Sequence, residues 1–209
     1  MSNTFRTDQE AFWAGSFGDD YIARNTADRL SGPNIALFSR ILARCEGVGS
    51  LIEFGANVGL NLRAIRSLLP GIDLEAVEIN ANAVKELQTW GGAGRVHHGS
   101  ILDFVPQRTW NLALIKGVLI HINPQYLSKI YELLYRASDR YILLIEYFNP
   151  TPVEVSYRGH AQRLFKRDFA AEMLDTYRDL RIVDYGFVWR RDPQFPQDDV
   201  NWFLLEKRG

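Results

Sequence analysis

Leu51-Ile52-Glu53-Phe54-Gly55-Ala56-Asn57-Val58-Gly59 reads as a buried strand, an acidic residue and a glycine-spaced turn that opens a helix. Glycine lacks Cβ and tolerates φ > 0, so such a turn brings backbone close to a ligand. The spacing narrows the choice of ligand. A dinucleotide turn wants G-x-G-x-x-G, with pyrophosphate on the helix N-terminus. Here the middle small position is Asn57, and Leu60 stands where the third glycine would be. Asn is the best non-glycine occupant of left-handed geometry. The Lys of a phosphate-binding P-loop is missing as well. A nicotinamide-dependent oxidoreductase is therefore disfavoured.

Outward from this turn, strand and helix alternate. Ser50–Phe54 is the first strand and Leu60–Leu69 a helix stopped by Pro70-Gly71. Strands are expected at Asp73–Ile79, Arg95–His98, Trp110–Ile115 and Arg140–Glu146, with helices at Asn82–Trp90, Pro124–Ala137 and Phe169–Tyr177. Arg140–Glu146 ends in a continuous apolar run, as a strand covered on both faces requires. Two final strands, Leu180–Trp189 and Asn201–Glu206, have a loop and no helix between them, which predicts an antiparallel edge. Repeated strand–helix units imply a parallel sheet with right-handed crossovers. Before residue 46 the spacing predicts a helical segment, with helices near Asp8–Phe17 and Ile35–Ala43 punctuated by Gly15, Gly18, Gly32 and Pro33. Residues 46–209 form the second unit, a single α/β domain.

Bulk properties exclude several classes. The 209 residues are 46% apolar and 23% charged, which suits one globular domain. A net charge of −1 argues against a nucleic-acid partner, whose phosphates are matched by Lys and Arg. The single Cys45 excludes an internal disulfide and a cysteine zinc site. His97 and His98 point to opposite strand faces, so they make no paired metal site. No run reaches the ~18 apolar residues of a membrane span, so no membrane association is expected. The polar start lacks an apolar signal core, which predicts a cytoplasmic protein.

The turn, together with Glu78, Asp103 and Gly117-Val118-Leu119-Ile120-His121, resembles the class I S-adenosylmethionine (SAM) methyltransferases over roughly residues 50–150. A narrower similarity is carried by Phe12-Trp13-Ala14-Gly15-Ser16-Phe17-Gly18-Asp19-Asp20-Tyr21-Ile22-Ala23-Arg24-Asn25 and Phe165-Lys166-Arg167-Asp168-Phe169. Those segments look like the pseudaminic acid biosynthesis-associated methylases. The resemblance implies a Rossmann-like seven-stranded sheet with the last strand antiparallel and SAM as cofactor. Ligands of open α/β sheets sit outside the carboxyl ends of the strands. At those ends, Gly55, Asn57 and Gly59 would shape the loop, and Glu53 would lie near the methionyl amine. Glu78 would accept from the ribose hydroxyls and Asp103 from the adenine amino group. Ile79, Ser100, Ile101, Lys116 and Gly117 complete the expected cofactor contacts. Trp13, Tyr21 and Arg24 are expected to fold over the site as a lid, with Arg24 on the methionine carboxylate.

The acceptor is less legible. His121 is the leading acid/base candidate, since an ordinary imidazole titrates near ~6.5. Tyr147 is the second. Glu146, Tyr147 and Asn149 could line the acceptor pocket. Arg158, His160 and Lys166 belong to a local basic cluster, read either as a solvated helix face or as a clamp for a carboxylate or phosphate. The expected reaction is methyl transfer to oxygen or nitrogen of a small, anionic acceptor, a sugar or nucleotide-sugar derivative. A non-catalytic SAM-binding scaffold is the alternative.

Overall fold

The computed structural model describes residues 5–24 and 27–208. Asn25 of the N-terminal motif lies outside them. Among the described residues, nine strands divide into two sheets. The main sheet has the order β3-β2-β1-β4-β5-β9-β8. Its strands are β1 (Ser50–Phe54), β2 (Asp73–Glu78), β3 (Arg95–His98), β4 (Trp110–Lys116), β5 (Ser138–Glu146), β8 (Leu180–Val188) and β9 (Val200–Lys207). The first five pair in parallel, and β9 runs antiparallel to both β5 and β8. The expected sheet and its reversed last strand are present.

Alternation along the central strands builds the core on both faces. Leu112, Leu114, Leu143 and Ile145 pack with Leu62 and Ile65 of α4 (Leu60–Leu68) and with Phe38 and Ile41 of α3 (Ala27–Leu42). Ala113, Ile115, Ile142 and Leu144 face the other way. They meet Ile130 and Leu134 of α6 (Leu127–Ala137) and Met173 of α7 (Phe169–Thr176). Each fully buried Leu or Ile contributes about 1.5–3 kcal/mol relative to exposure. This explains why apolar runs, not polar contacts, set the register. The helix α5 (Ala81–Trp90) completes the crossover from β2 to β3, and the Asn80 side chain accepts from Asn82 N and Ala83 N at its start.

Two expectations need correction. The N-terminal segment holds three helices, α1 (Asp8–Ala14), α2 (Ser16–Arg24) and α3. The extended Gly15 divides the first two, while Pro33 is accommodated inside α3. Residues 153–166 are no helix face. They form a hairpin of β6 (Val153–Tyr157) and β7 (His160–Lys166) outside the main sheet. Arg158 and Gly159 both have positive φ, +49° and +84°, the signature of a two-residue hairpin turn. No described helix is long and apolar enough to cross a membrane.

Candidate active site

A cavity of about 620 Å³ opens at the carboxyl ends of β1, β2, β4 and β5. Gly55, Asn57, Glu78, Ile79, Ser100, Ile101, Lys116 and Gly117 line it, as do Trp13, Tyr21, Arg24, His121, Tyr147 and Arg158.

The glycine turn is built as its spacing requires. Gly55, Asn57 and Gly59 have φ of +76°, +49° and +78°. A Cβ on Gly55 would meet Val118 Cγ2 at 2.5 Å, and one on Gly59 would meet Leu87 Cδ1 at 2.3 Å. Gly59 therefore serves the packing of α4 against α5, behind the cavity wall. Glu78 locks the turn. Its two carboxylate oxygens accept from Asn57 N and Asn80 N, each at 2.7 Å. Burial raises its pKa above the ordinary carboxylate value, against the opposing pull of those backbone donors. A carboxylate offers about four lone-pair sites. The backbone of Asn57, Asn80 and Ile79 takes up to three of them, which leaves capacity for a ligand hydroxyl.

Glu53 lies one layer behind the cavity. It is fully buried and accepts from Asn61 Nδ2 at 2.6 Å, while its other oxygen has no partner. Burial raises it to about 8. Lys116, at the end of β4, donates to Asn34 Oδ1 at 2.9 Å and to Asn61 Oδ1 and Gln197 Oε1 at 3.1 Å each. Burial lowers it to about 8.

The aromatic end is assembled from distant segments. Trp13 lies 4.6 Å from the His121 ring and 5.3 Å from Tyr21, and His121 is 4.9 Å from Tyr157. Tyr147 donates to Asp198, and burial together with that carboxylate moves the phenol well above its ordinary range. His121 Nδ1 is 2.5 Å from the Arg163 carbonyl, an acceptor only, so that nitrogen carries the proton. Burial lowers the imidazole to about 4. His121 is consequently neutral at physiological pH, with Nε2 as an acceptor.

The N-terminal helices close one side. Asp19 accepts from Asn80 and Asn82, 2.9 Å each. Gln9 reaches the Gln162 carbonyl at 2.9 Å, and Glu10 accepts from the Ser100 hydroxyl. A Cβ on Gly18 would meet the Trp13 carbonyl at 2.0 Å, so only glycine allows this approach. Trp13 Nε1 and Arg24 Nε and Nη2 are buried without a partner. Buried donors left unpaired in a cavity wall call for a ligand.

Other expected site residues lie away from the cavity. Asp103 is half exposed and pairs with Arg6 at 2.5 Å, because its loop turns the side chain outward. Glu146 turns inward from β5 and accepts from the backbone of Val118, Leu119 and Ile120, at 2.9, 2.9 and 3.5 Å. It holds the turn that carries His121, and burial raises it to about 7. His160 packs on Phe12 and Phe17, and Lys166 lies over the Tyr147 ring at 5.0 Å. Asn149 binds the Thr151 carbonyl at 2.5 Å. Asn34, Asn61, Gln197 and Asp198 line the cavity without having been expected there. Asn61 was accessible from sequence, as the second helical residue after the glycine turn. The other three depend on long-range folding. Among the described residues, no group of three His, Cys, Asp or Glu could hold a metal ion.

No protein-family model matches the chain, and no curated protein sequence matches significantly. Solved structures do match. A magnesium protoporphyrin IX methyltransferase from Synechocystis PCC 6803, with SAM bound, superposes with TM-score 0.68 over 99% of this chain and 100% of that one, at 13% identity. The 1,6-didemethyltoxoflavin-N1-methyltransferase of Burkholderia thailandensis gives 0.65 over 92% and 83%, at 18% identity. The chain spans 53% of a mitomycin 7-O-methyltransferase, with 85% of its own length covered, TM-score 0.56 and 16% identity. The sheet and its flanking helices are thus the class I methyltransferase fold.

Proposed function

We propose that this protein is a SAM-dependent methyltransferase acting on oxygen or nitrogen of a small anionic acceptor. The observation that carries the reading is Glu78. It is a buried carboxylate held by the backbone of Asn57 in the glycine turn and of Asn80 after β2, and it lines the cavity. That arrangement fits a ribose diol. The unpartnered Arg24 nitrogens fit the methionine carboxylate, and the segment containing Trp13, Tyr21 and Arg24 acts as the lid. Bound SAM supplies an electrophilic methyl on a cationic sulfur.

The chain's own residues supply the rest. Trp13, Tyr21, His121, Tyr147 and Tyr157 form an apolar-walled acceptor end that orients a ring and excludes water. Arg158, Arg190 and Arg29 stand at the same cavity and suit a carboxylate or phosphate on the acceptor. The nonulosonic-acid sugar class is supported by the resemblance of residues 12–25 and 165–169 to the associated methylases. The acceptors named for the structural neighbours are also small molecules.

Calorimetric titration with SAM tests the first step. No binding at millimolar SAM would sink the proposal. Incubating nucleotide-sugar pools with isotopically labelled SAM, followed by mass spectrometry, tests the acceptor class. Label appearing only in non-sugar metabolites would discard the sugar assignment.

A further inference from the structure

We propose that the bulge at Gln162 in the β6–β7 hairpin is a positioning device that couples docking of the N-terminal lid to the tautomer of His121. Its role toward the acceptor rests on the methyltransferase reading above. The pairing passes from Val155↔Leu164 directly to Tyr157↔His160, so Ser156 of β6 faces three residues of β7, Ala161, Gln162 and Arg163. Such a bulge breaks the ladder locally and leaves backbone groups for other partners. At its centre Gln162 has φ of +55°. Left-handed backbone at a non-glycine residue is strained and persists only where its surroundings over-determine it. Glu154 contributes, its Oε1 accepting from Gln162 N at 2.7 Å.

Two consecutive carbonyls leave the bulge for different partners. That of Gln162 accepts from Gln9 Nε2 of α1 at 2.9 Å and from Arg163 Nη1 at 3.1 Å. That of Arg163 accepts from His121 Nδ1 at 2.5 Å. The lid thus grips one peptide unit and the imidazole the next. Gln9 is buried, so losing this bond would leave its amide without water as a substitute. Ring contacts repeat the link. Phe12 of α1 lies 5.1 Å from His160 and 5.3 Å from the Arg163 guanidinium, and Trp13 lies 4.6 Å from the His121 ring.

The consequence is chemical. The hydrogen bond made by one nitrogen of a neutral imidazole decides where its proton sits. A carbonyl at Nδ1 selects the Nδ1–H form, and Nε2 keeps a lone pair. His121 lines the cavity, whereas neither Gln162 nor Arg163 does, so both act through it and through α1. The Nε2 lone pair accepts from an O–H or N–H of the acceptor and so orients the nucleophile. Relaxing the bulge turns the Arg163 carbonyl away and frees the proton to occupy Nε2. The same ring would then offer a donor where the acceptor needs a lone pair.

The experiment is NMR of protein carrying isotopically labelled histidine, in which two-bond proton–nitrogen correlations report the tautomer. His121→Gln identifies the signal. Wild type at neutral pH should show Nδ1–H. Gln162→Val puts a β-branched residue at positive φ. It should move His121 predominantly to Nε2–H and speed hydrogen exchange of the α1 amides roughly tenfold. Gln162→Gly tolerates the same φ and should keep the wild-type tautomer. Gln9→Leu should raise the Nε2–H fraction roughly fivefold, although Gln9 makes no bond to His121. If Gln162→Val does not fold, Glu154→Ala loosens the same bulge by removing the acceptor of Gln162 N, with the same shifts expected.

Nε2–H in the wild type overturns the proposal. So does Nδ1–H retained when the bulge is loosened, or α1 exchange left unchanged by it. A wild-type tautomer population in Gln9→Leu overturns the coupling to the lid. Wild type that binds no S-adenosylhomocysteine (SAH) by calorimetry sinks the methyltransferase reading instead. The two failures are separable, because tautomer and lid exchange are read in the ligand-free protein.

Discussion

Replacing Glu53 by Gln is expected to stabilise the ligand-free protein, increasingly so as pH rises. An unfolded chain ionises this carboxyl around the ordinary 4.5, whereas burial holds the folded one near 8. Between those values the folded state keeps a proton that the unfolded state has lost. Stability therefore falls with rising pH through that window, by about 1.4 kcal/mol for each pH unit. At neutral pH the accumulated loss is about 3 kcal/mol, and below 4.5 it vanishes. Gln removes the ionisation while keeping the oxygen that accepts from Asn61 at 2.6 Å. Its amide nitrogen takes the place of the oxygen that already has no partner. Leaving that NH2 unpaired costs about 1 kcal/mol, so the net gain near neutral pH is about 2 kcal/mol. Urea denaturation of both proteins across the window reads the difference directly. Glu78 and Glu146 are also raised by burial and tilt both curves alike, so the difference between the proteins reports Glu53 together with its effect on Lys116. Two curves that stay parallel from acid to neutral pH would refute the reasoning. So would a variant that is less stable at neutral pH.

Three further outcomes follow from the same geometry. Glu78→Ala removes an acceptor from the ligand hydroxyls and from the backbone that holds the glycine turn, so SAH affinity by calorimetry should drop roughly 10- to 100-fold. An unchanged affinity would remove the ribose role. Asp103→Asn should leave SAH affinity within about twofold, because the carboxylate pairs with Arg6 outside the cavity and an exposed pair contributes about 0–1 kcal/mol. A large loss would restore the adenine contact that the sequence suggested. Gly59→Ala should destabilise the fold by about 2 kcal/mol or more, since φ is +78° and the new methyl overlaps Leu87. Thermal unfolding within a degree of wild type would show that α5 yields easily.

Much of the fold could be read from local pattern. The mostly apolar runs Leu51–Phe54 and Tyr141–Ile145 alternate residues between two covered faces, and the first leads directly into the glycine turn at the cavity. The Gly55–Gly59 turn was legible because positive φ restricts which residues can occupy it. The hairpin at 153–166 was missed for a definable reason. Arg158 and Gly159 carry the turn, but the surrounding Arg163, Lys166 and Arg167 drew attention as a charge cluster. Charge marks exposure, and exposure is common to helix faces and hairpins. Glu146 was misplaced because its strand position was right while its direction was not. Three backbone donors of the neighbouring turn attract the carboxylate inward.

By itself the sequence determined the alternation of strand and helix, the loop-joined pair of final strands and the glycine turn. Those features depend on residues adjacent in the chain, so period and spacing suffice. The tertiary structure alone decided what each titratable group can do. Asn34, Asn61 and Gln197 converge on Lys116 from separations of 82, 55 and 81 residues. The desolvation that lowers Lys116 and His121 and raises Glu53 depends on how many atoms the whole fold packs around them. Proton affinity is a property of that surrounding volume, and no local stretch of sequence encodes it.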